Sequence, residues 1–128
     1  MSVFEYGAGY SSSWWRANAF FHASVESDFK WARAMGVKHL DNKVEYICEL
    51  RGYTVNCVIV DGVWREECAI FASSHLADGG ILIIDNWDGE DYPHDAVLRT
   101  EVLLSGWKKT VYKQPNHASW QTAVFIKP

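Results

Sequence analysis

The chain has 128 residues, 48% of them apolar and 22% charged, with a formal net charge of −4. That length is one domain's worth and the balance is globular, which excludes a disordered segment, and no Lys/Arg cluster suggests a nucleic-acid backbone as partner. No apolar stretch approaches the roughly 20 residues of a membrane-spanning helix.

Short apolar runs alternate with helix-like stretches, the rhythm of βαβ units around a mainly parallel sheet. Residues 3–6 read as a first strand, broken at Gly7-Ala8-Gly9. Residues 11–19 can then form a helix and 23–26 a second strand. Asp28 can cap a short helix running to Met35, with Gly36 as its stop. Residues 44–48 read as a third strand and 55–60 as a fourth, too close together for a full crossover helix. A helix over 64–76 ends at Asp78-Gly79-Gly80, and 81–84, the most apolar run, reads as a strand buried on both faces. After a polar loop over 85–93, a helix over 96–104 leads to strands at 107–112 and 122–126. The loop between those two, 113–120, holds no helix, so the pair is expected to be antiparallel. The sum is a single α/β domain with seven strands.

Cys48, Cys57 and Cys68 are odd in number, lack C-x-x-C spacing and sit in apolar stretches. They read as reduced core thiols in a cytoplasmic protein, and Met1 leads straight into a strand without a signal peptide. Seven Trp exceed what a core of this size takes. Some therefore belong to a cleft or an interface. Trp87, Tyr92 and Trp120 are candidates for the wall of a substrate pocket, with core packing or an interface as the plainer alternative.

The first chemical signal is Glu5-Tyr6-Gly7-Ala8-Gly9-Tyr10-Ser11. An acid near the end of a strand precedes two glycines spaced two apart, as required where a backbone turns sharply and a ligand comes close. The second strand ends in Glu26-Ser27-Asp28, an acid placed to accept hydrogen bonds from ribose hydroxyls. A plainer alternative makes Gly7 and Gly9 a tight turn and Glu26 a helix cap. A dinucleotide would want Gly or Ala where Ser12 stands, and Tyr10, Trp14 and Trp15 crowd the turn. This favours a ligand without a pyrophosphate.

These segments resemble motif I and the following acid of class I S-adenosylmethionine-dependent methyltransferases. Val58-Ile59-Val60-Asp61-Gly62 resembles that family's fourth strand, and residues 76–86 its turn into a fifth strand ending Asp85-Asn86. The resemblance implies a three-layer Rossmann-like fold, mostly parallel with an antiparallel C-terminal strand. It implies S-adenosylmethionine contacts at Glu5, Gly7, Gly9, Tyr10, Glu26, Ser27 and Asp61. The family's third motif glycine is Ser11 here. The helix before the first strand and most of the crossover between the third and fourth are expected to be missing, which points to a homo-oligomer or a partner subunit over the pocket.

Asp61, Asp85 and Asn86 each end a strand, and three oxygen donors suit Mg²⁺. The pattern is similar to the cation site of catechol-type O-methyltransferases, although that family's catalytic Lys is Trp64 here, with Arg65 beside it. The alternative has Asp61 capping the next helix. His94 and His117 fall in loops on the same edge and are candidate general bases, with exposed loop histidines as the alternative. His22, His39 and His75 read as structural or surface residues.

The favoured reading is an enzyme that transfers a methyl group from S-adenosylmethionine to a small-molecule acceptor, with Asp61, Asp85, His94 and His117 on the acceptor side. A methyltransferase-like binding module without turnover is the second reading, and a nicotinamide-dependent oxidoreductase the third.

Overall fold

The structure, a computed structural model, describes residues 1–128 except for the side chains of Tyr10, Ala118 and Ser119. Its elements in chain order are β1 (Ser2–Tyr6), α1 (Tyr10–Asn18), β2 (Phe21–Glu26), α2 (Phe29–Met35), β3 (Lys38–His39) and α3 (Lys43–Cys48). A 3₁₀ turn (Glu49–Gly52) follows, then β4 (Cys57–Val60), α4 (Arg65–His75), β5 (Ile81–Asp85), α5 (His94–Leu103), β6 (Lys108–Gln114) and β7 (His117–Ile126).

The strands form one seven-stranded sheet in the order β3-β2-β1-β4-β5-β7-β6. The first five are parallel to one another. β7 runs antiparallel to both β5 and β6, as a connection without a helix requires. The chain starts at the centre, works outward through β2 and β3, and returns to lay β4 on the other side of β1. That reversal puts the carboxyl ends of β1 and β4 side by side and opens a crevice above them, where ligands of such sheets bind.

Helices cover both faces. Val3, Cys57 and Ile59 are buried with Trp15 and Ala19 of the α1 segment packed against them. The other face carries the larger cluster, in which Phe4, Tyr6, Val58, Val60, Leu82, Ile84 and Phe125 meet residues of α3, α4 and α5. Each such burial contributes roughly 1.5–3 kcal/mol. The two faces explain why β4 and β5 read as continuous apolar runs: alternate residues face different helices. Toward the β6 edge the α1 side is less covered, leaving Ile83 half-buried and Tyr112 exposed.

The third strand is corrected. Residues 44–48 are helical, and the strand is the short pair Lys38–His39. An apolar run this short fits either period. The deciding signal is local: the Asn42 side chain accepts from the Glu45 backbone N–H at 3.1 Å, capping the helix. Tyr46 and Leu50, one turn apart, are then both fully buried. The Tyr6 hydroxyl donates to the Ile47 carbonyl at 2.6 Å and holds the helix to the sheet. The crossover expected to be missing is therefore present as α3 plus the 3₁₀ turn. The loop expected over 113–120 is shorter as well, since β6 runs to Gln114 and β7 starts at His117.

Other expectations hold. Asp28 caps α2 by accepting from the Trp31 backbone N–H, and Gly36 ends it in the left-handed region at φ 67°. The cysteines are free, with Cys57 and Cys68 buried and Cys48 half-buried. Burial pushes the Cys57 thiol up to about 12, so it is inert as a nucleophile near neutral pH. Among the described residues no helix is long and apolar enough to cross a membrane.

The α3 cap is directly testable. Asn42→Ala should lower unfolding free energy by about 1 kcal/mol in urea melts. A change indistinguishable from zero would mean that the cap does not hold this segment in the helix.

Candidate functional site

Gly7 begins the turn after β1 at φ 91°, a backbone region that favours glycine. A Cβ there would lie 2.5 Å from the Asp61 carbonyl oxygen and 2.8 Å from Gly62 Cα. What demands this glycine is thus the turn after β4, pressed against it. Gly62 answers from the other side, where a Cβ would lie 2.2 Å from the Tyr46 hydroxyl. Gly9 is different. It is extended, at φ −160°, and a Cβ on it would meet nothing within 4 Å. Neither the backbone nor any described neighbour requires glycine there, and the space over it is open at the N-terminus of α1.

Ser12 fixes that helix start. Its Oγ accepts from the Gly9 N–H at 3.0 Å, and its own N–H donates to the Gly9 carbonyl at 3.0 Å. The side chain of Tyr10, expected among the cofactor contacts, lies outside the described residues.

Glu5 is 1% exposed and lies beneath the turn. His22 Nε2 on β2 is 2.6 Å from its Oε1, and Ser11 Oγ donates to its Oε2 at 3.2 Å. A buried carboxylate needs such partners. The pair ties β1, β2 and the first turn of α1 together. His22 was legible only as a structural or surface residue, because its partner lies 17 positions away on a neighbouring strand.

Glu26 ends β2 facing the same turn. Its Oε1 accepts from the Ala8 N–H at 3.1 Å and its Oε2 from the Asp28 N–H at 2.8 Å. It does not cap α2, which Asp28 does. A carboxylate offers about four acceptor positions, so Glu26 can take further donors. Ser27 Oγ lies 3.4 Å from Glu26 Oε2, and the Ser27 carbonyl is 3.0 Å from His39 Nε2.

Asp61 follows β4 and Asp85 ends β5, one strand over. Their carboxyls lie close enough for the charge of one to act on the other. Burial, then the Asp85 charge, pushes the Asp61 carboxyl up to about 7, against the pull of Arg65. Asp61 does not cap α4, whose N-cap is Trp64 at φ 49°. Arg65 instead spans the two strand ends. Its Nε donates to the Gly62 carbonyl at 2.8 Å and its Nη1 to the Asp85 carbonyl at 3.0 Å. Its Nη2 lies 3.4 Å from Asp61 Oδ1 and 3.8 Å from Asp91 Oδ2. In the sequence Arg65 stands only beside the position of the family's catalytic Lys, and its reach back to Asp61 depends on the turn between β4 and α4. Thr122, from β7, donates to Asp85 Oδ1 at 3.0 Å. Asn86, at φ 53°, donates through Nδ2 to Asp91 Oδ2 at 2.7 Å.

The candidate bases are more peripheral. His94 Nδ1 is 3.0 Å from Asp88 Oδ1, and both are exposed. His117 stacks on Trp120 with ring centroids 4.3 Å apart. Of the three aromatics expected in a pocket wall, Trp87 and Tyr92 are core residues stacked at 5.2 Å, and Trp120 lines a cavity. Among the described residues no group of three or more His, Cys, Asp or Glu side chains is gathered for a metal ion.

No protein-family model and no curated protein matches the sequence. Solved structures share its fold. The O-methyltransferase TomG from Streptomyces achromogenes, in complex with S-adenosylmethionine, shares 18% identity over 99% of this chain and 73% of its own, with a TM-score of 0.69. An O-methyltransferase from Bacillus cereus in complex with S-adenosylhomocysteine shares 13% over 98% and 74%, with a TM-score of 0.74. A methyltransferase-like protein from Silicibacter pomeroyi shares 21% over 99% and 78%, with a TM-score of 0.65. The chain has the Rossmann-like fold of class I S-adenosylmethionine-dependent methyltransferases, with the mostly parallel seven-stranded sheet that its sequence resemblance implied.

Two measurements separate the roles of these residues. Gly7→Ala should cost on the order of 2–4 kcal/mol, from the left-handed backbone and the overlap with Asp61, whereas Gly9→Ala should melt like the parent. Equal melting would remove the distinction. The raised Asp61 carboxyl also has a pH signature. The folded chain keeps this proton up to about 7, whereas the unfolded chain releases it near 3.8. Ionisation of Asp61 therefore erodes stability as pH climbs between those values. Asp61→Asn should accordingly match the parent near pH 4 and gain in relative melting temperature up to pH 7, then level off. A constant difference across that window would show that Asp61 ionises normally.

Proposed function

We propose that this chain is an enzyme that transfers a methyl group from S-adenosylmethionine to a small-molecule acceptor. The observation that carries the reading is the open space over Gly9, between the N-terminus of α1 and the Glu26 carboxylate, at the point where the strand order reverses. The fold supports it, as do the neighbours described with S-adenosylmethionine or S-adenosylhomocysteine. When bound, that cofactor supplies an activated methyl group on a sulfonium. The protein has to align the partners, exclude water and accept a proton.

Gly9 lets the methionine part approach the backbone, and Gly7 shapes the turn that makes room. Glu26 accepts hydrogen bonds from the ribose hydroxyls through its remaining lone pairs, with Ser27 beside it. Glu5 acts mainly by position, since it is buried beneath the turn with His22 and Ser11 on its two oxygens. Asp61 borders both halves of the site. Beside Asp85, its raised carboxyl exchanges a proton near neutral pH, a suitable acceptor for a proton leaving the methyl acceptor. His94 and His117 remain rim groups that a bound acceptor would have to reach.

The same donors fit a hard cation. Asp61 and Asp85 crowd two carboxyls that Arg65 neutralises only in part, and Asn86 keeps its amide oxygen. Mg²⁺ held by Asp61, Asp85 and Asn86 would lower the pKa of an acceptor hydroxyl.

Calorimetry with S-adenosylhomocysteine, with and without Mg²⁺, tests the reading. Micromolar binding, weakened roughly tenfold or more in Glu26→Ala, is the expected result. Mg²⁺ should tighten binding or register its own heat only if the cation site operates. No binding at millimolar ligand would overturn the enzyme reading in favour of a binding module without turnover, and a parallel NAD(H) titration would expose an oxidoreductase.

A further inference from the structure

The cavity beside the carboxyl pair carries information about what it takes. It is bounded by Asp85, Asn86, Gln114, Trp120 and Thr122 and encloses about 350 Å³. A second cavity of about 340 Å³ adjoins it, sharing Asn86 and Trp120 and adding Asp88, Glu90 and Asp91. Each is at the lower end of the range for small-molecule sites. Together they leave room for a planar molecule of one or two rings with a side chain.

Two features define the chemistry. The apolar surface comes from Trp120, 54% exposed, whose indole carries His117 on one face and leaves the other for stacking or for a cation. The remaining lining is mostly carboxylate and amide, with the Thr122 hydroxyl. Of the lining acids Asp85, Asp88, Glu90 and Asp91, Asp91 lies 3.8 Å from Arg65 and Asp88 3.0 Å from His94, while His117 stacks on Trp120. Arg65 is spent on the backbone carbonyls of Gly62 and Asp85 as well as on Asp61 and Asp91. The excess charge is therefore negative, and it sits around a cavity with an aromatic wall.

The loop that carries these acids is anchored. Trp87 is 3% and Tyr92 0% exposed, they stack on each other, and Trp87 packs edge-on against Phe125. The Tyr92 hydroxyl is 2.5 Å from Thr100 Oγ1 in α5. Asp88, Glu90 and Asp91 thus project from a short segment pinned at both ends in the core. Carboxylates fixed before binding cost little to organise around a cation and repel an anion.

We propose that this double cavity binds an aromatic acceptor bearing a protonated amine, with the ring against Trp120 and the ammonium among Asp88, Glu90 and Asp91. The inference rests on the methyl-transfer reading for the word acceptor. It does not rest on it for the binding preference.

Tryptamine and indole-3-acetate share a bicyclic ring and differ in the charge of the side chain. Each is titrated into the full chain saturated with S-adenosylhomocysteine. Tryptamine should bind at least roughly tenfold more tightly, and added salt should narrow the gap. Trp120→Ala, and separately Glu90→Gln with Asp88→Asn, should each weaken tryptamine severalfold and leave S-adenosylhomocysteine affinity unchanged. Equal affinity, or preference for indole-3-acetate, would overturn the proposal. So would loss of tryptamine binding on adding millimolar Mg²⁺, which would give the acids to a metal. Should S-adenosylhomocysteine fail to bind while tryptamine is still preferred, the methyl-transfer reading falls and the amine site stands.

Discussion

The contact on which the site depends is backbone against backbone: Gly7, after β1, pressed on Asp61 and Gly62, after β4. No side chain fits between them, since a Cβ on Gly7 would enter the Asp61 carbonyl. Hydrogen bonds lock the approach, with the Gly7 N–H on the Val25 carbonyl at 2.8 Å and the Asp61 N–H on the Tyr6 carbonyl at 2.9 Å. Tyr46 closes it from below by lying against Gly62. This one approach sets how far the first turn stands from the second, and hence the width of the crevice, the direction of α1 and the position of Asp61.

Buried charge stiffens the same region. Glu5, His22 and Ser11 join two strands and a helix start through one carboxylate. Taking these groups out of water is costly unless each is paired, so the arrangement favours one geometry over alternatives. At the ends of β4 and β5 the logic is reversed. Asp61 and Asp85 are set close with incomplete compensation, and that imbalance leaves a carboxyl able to hold or release a proton near neutral pH. The first carboxylate acts as a structural tie, and the second pair is the one proposed to take a proton. The difference follows from how many donors each one meets.

The excess of aromatic residues divides along similar lines. Trp87 and Tyr92 are drawn into the core because the loop between β5 and α5 needs an anchor. Trp14 and Trp120 stay substantially exposed, and Trp120 does so at a cavity. Anchoring the loop from within and leaving one indole at the surface yields a rigid rim with an aromatic wall.

The sequence by itself determined the βαβ rhythm, the glycine turn after β1, the acid ending β2, the cap at Asp28 and the strand-ending acids at Asp61 and Asp85. These are signals of local backbone geometry and of period, and they survive in one dimension. It misread residues 44–48, because five residues with an apolar bias satisfy a strand and a helix equally, and burial of Tyr46 and Leu50 on the same face decided between them. It also could not distinguish Gly7 from Gly9, pair His22 with Glu5, or see Arg65 reach Asp85 and Asp91. Those facts belong to the tertiary structure, because they depend on which strand ends the topology sets side by side, and partners so far apart in the chain become neighbours only when the sheet is assembled.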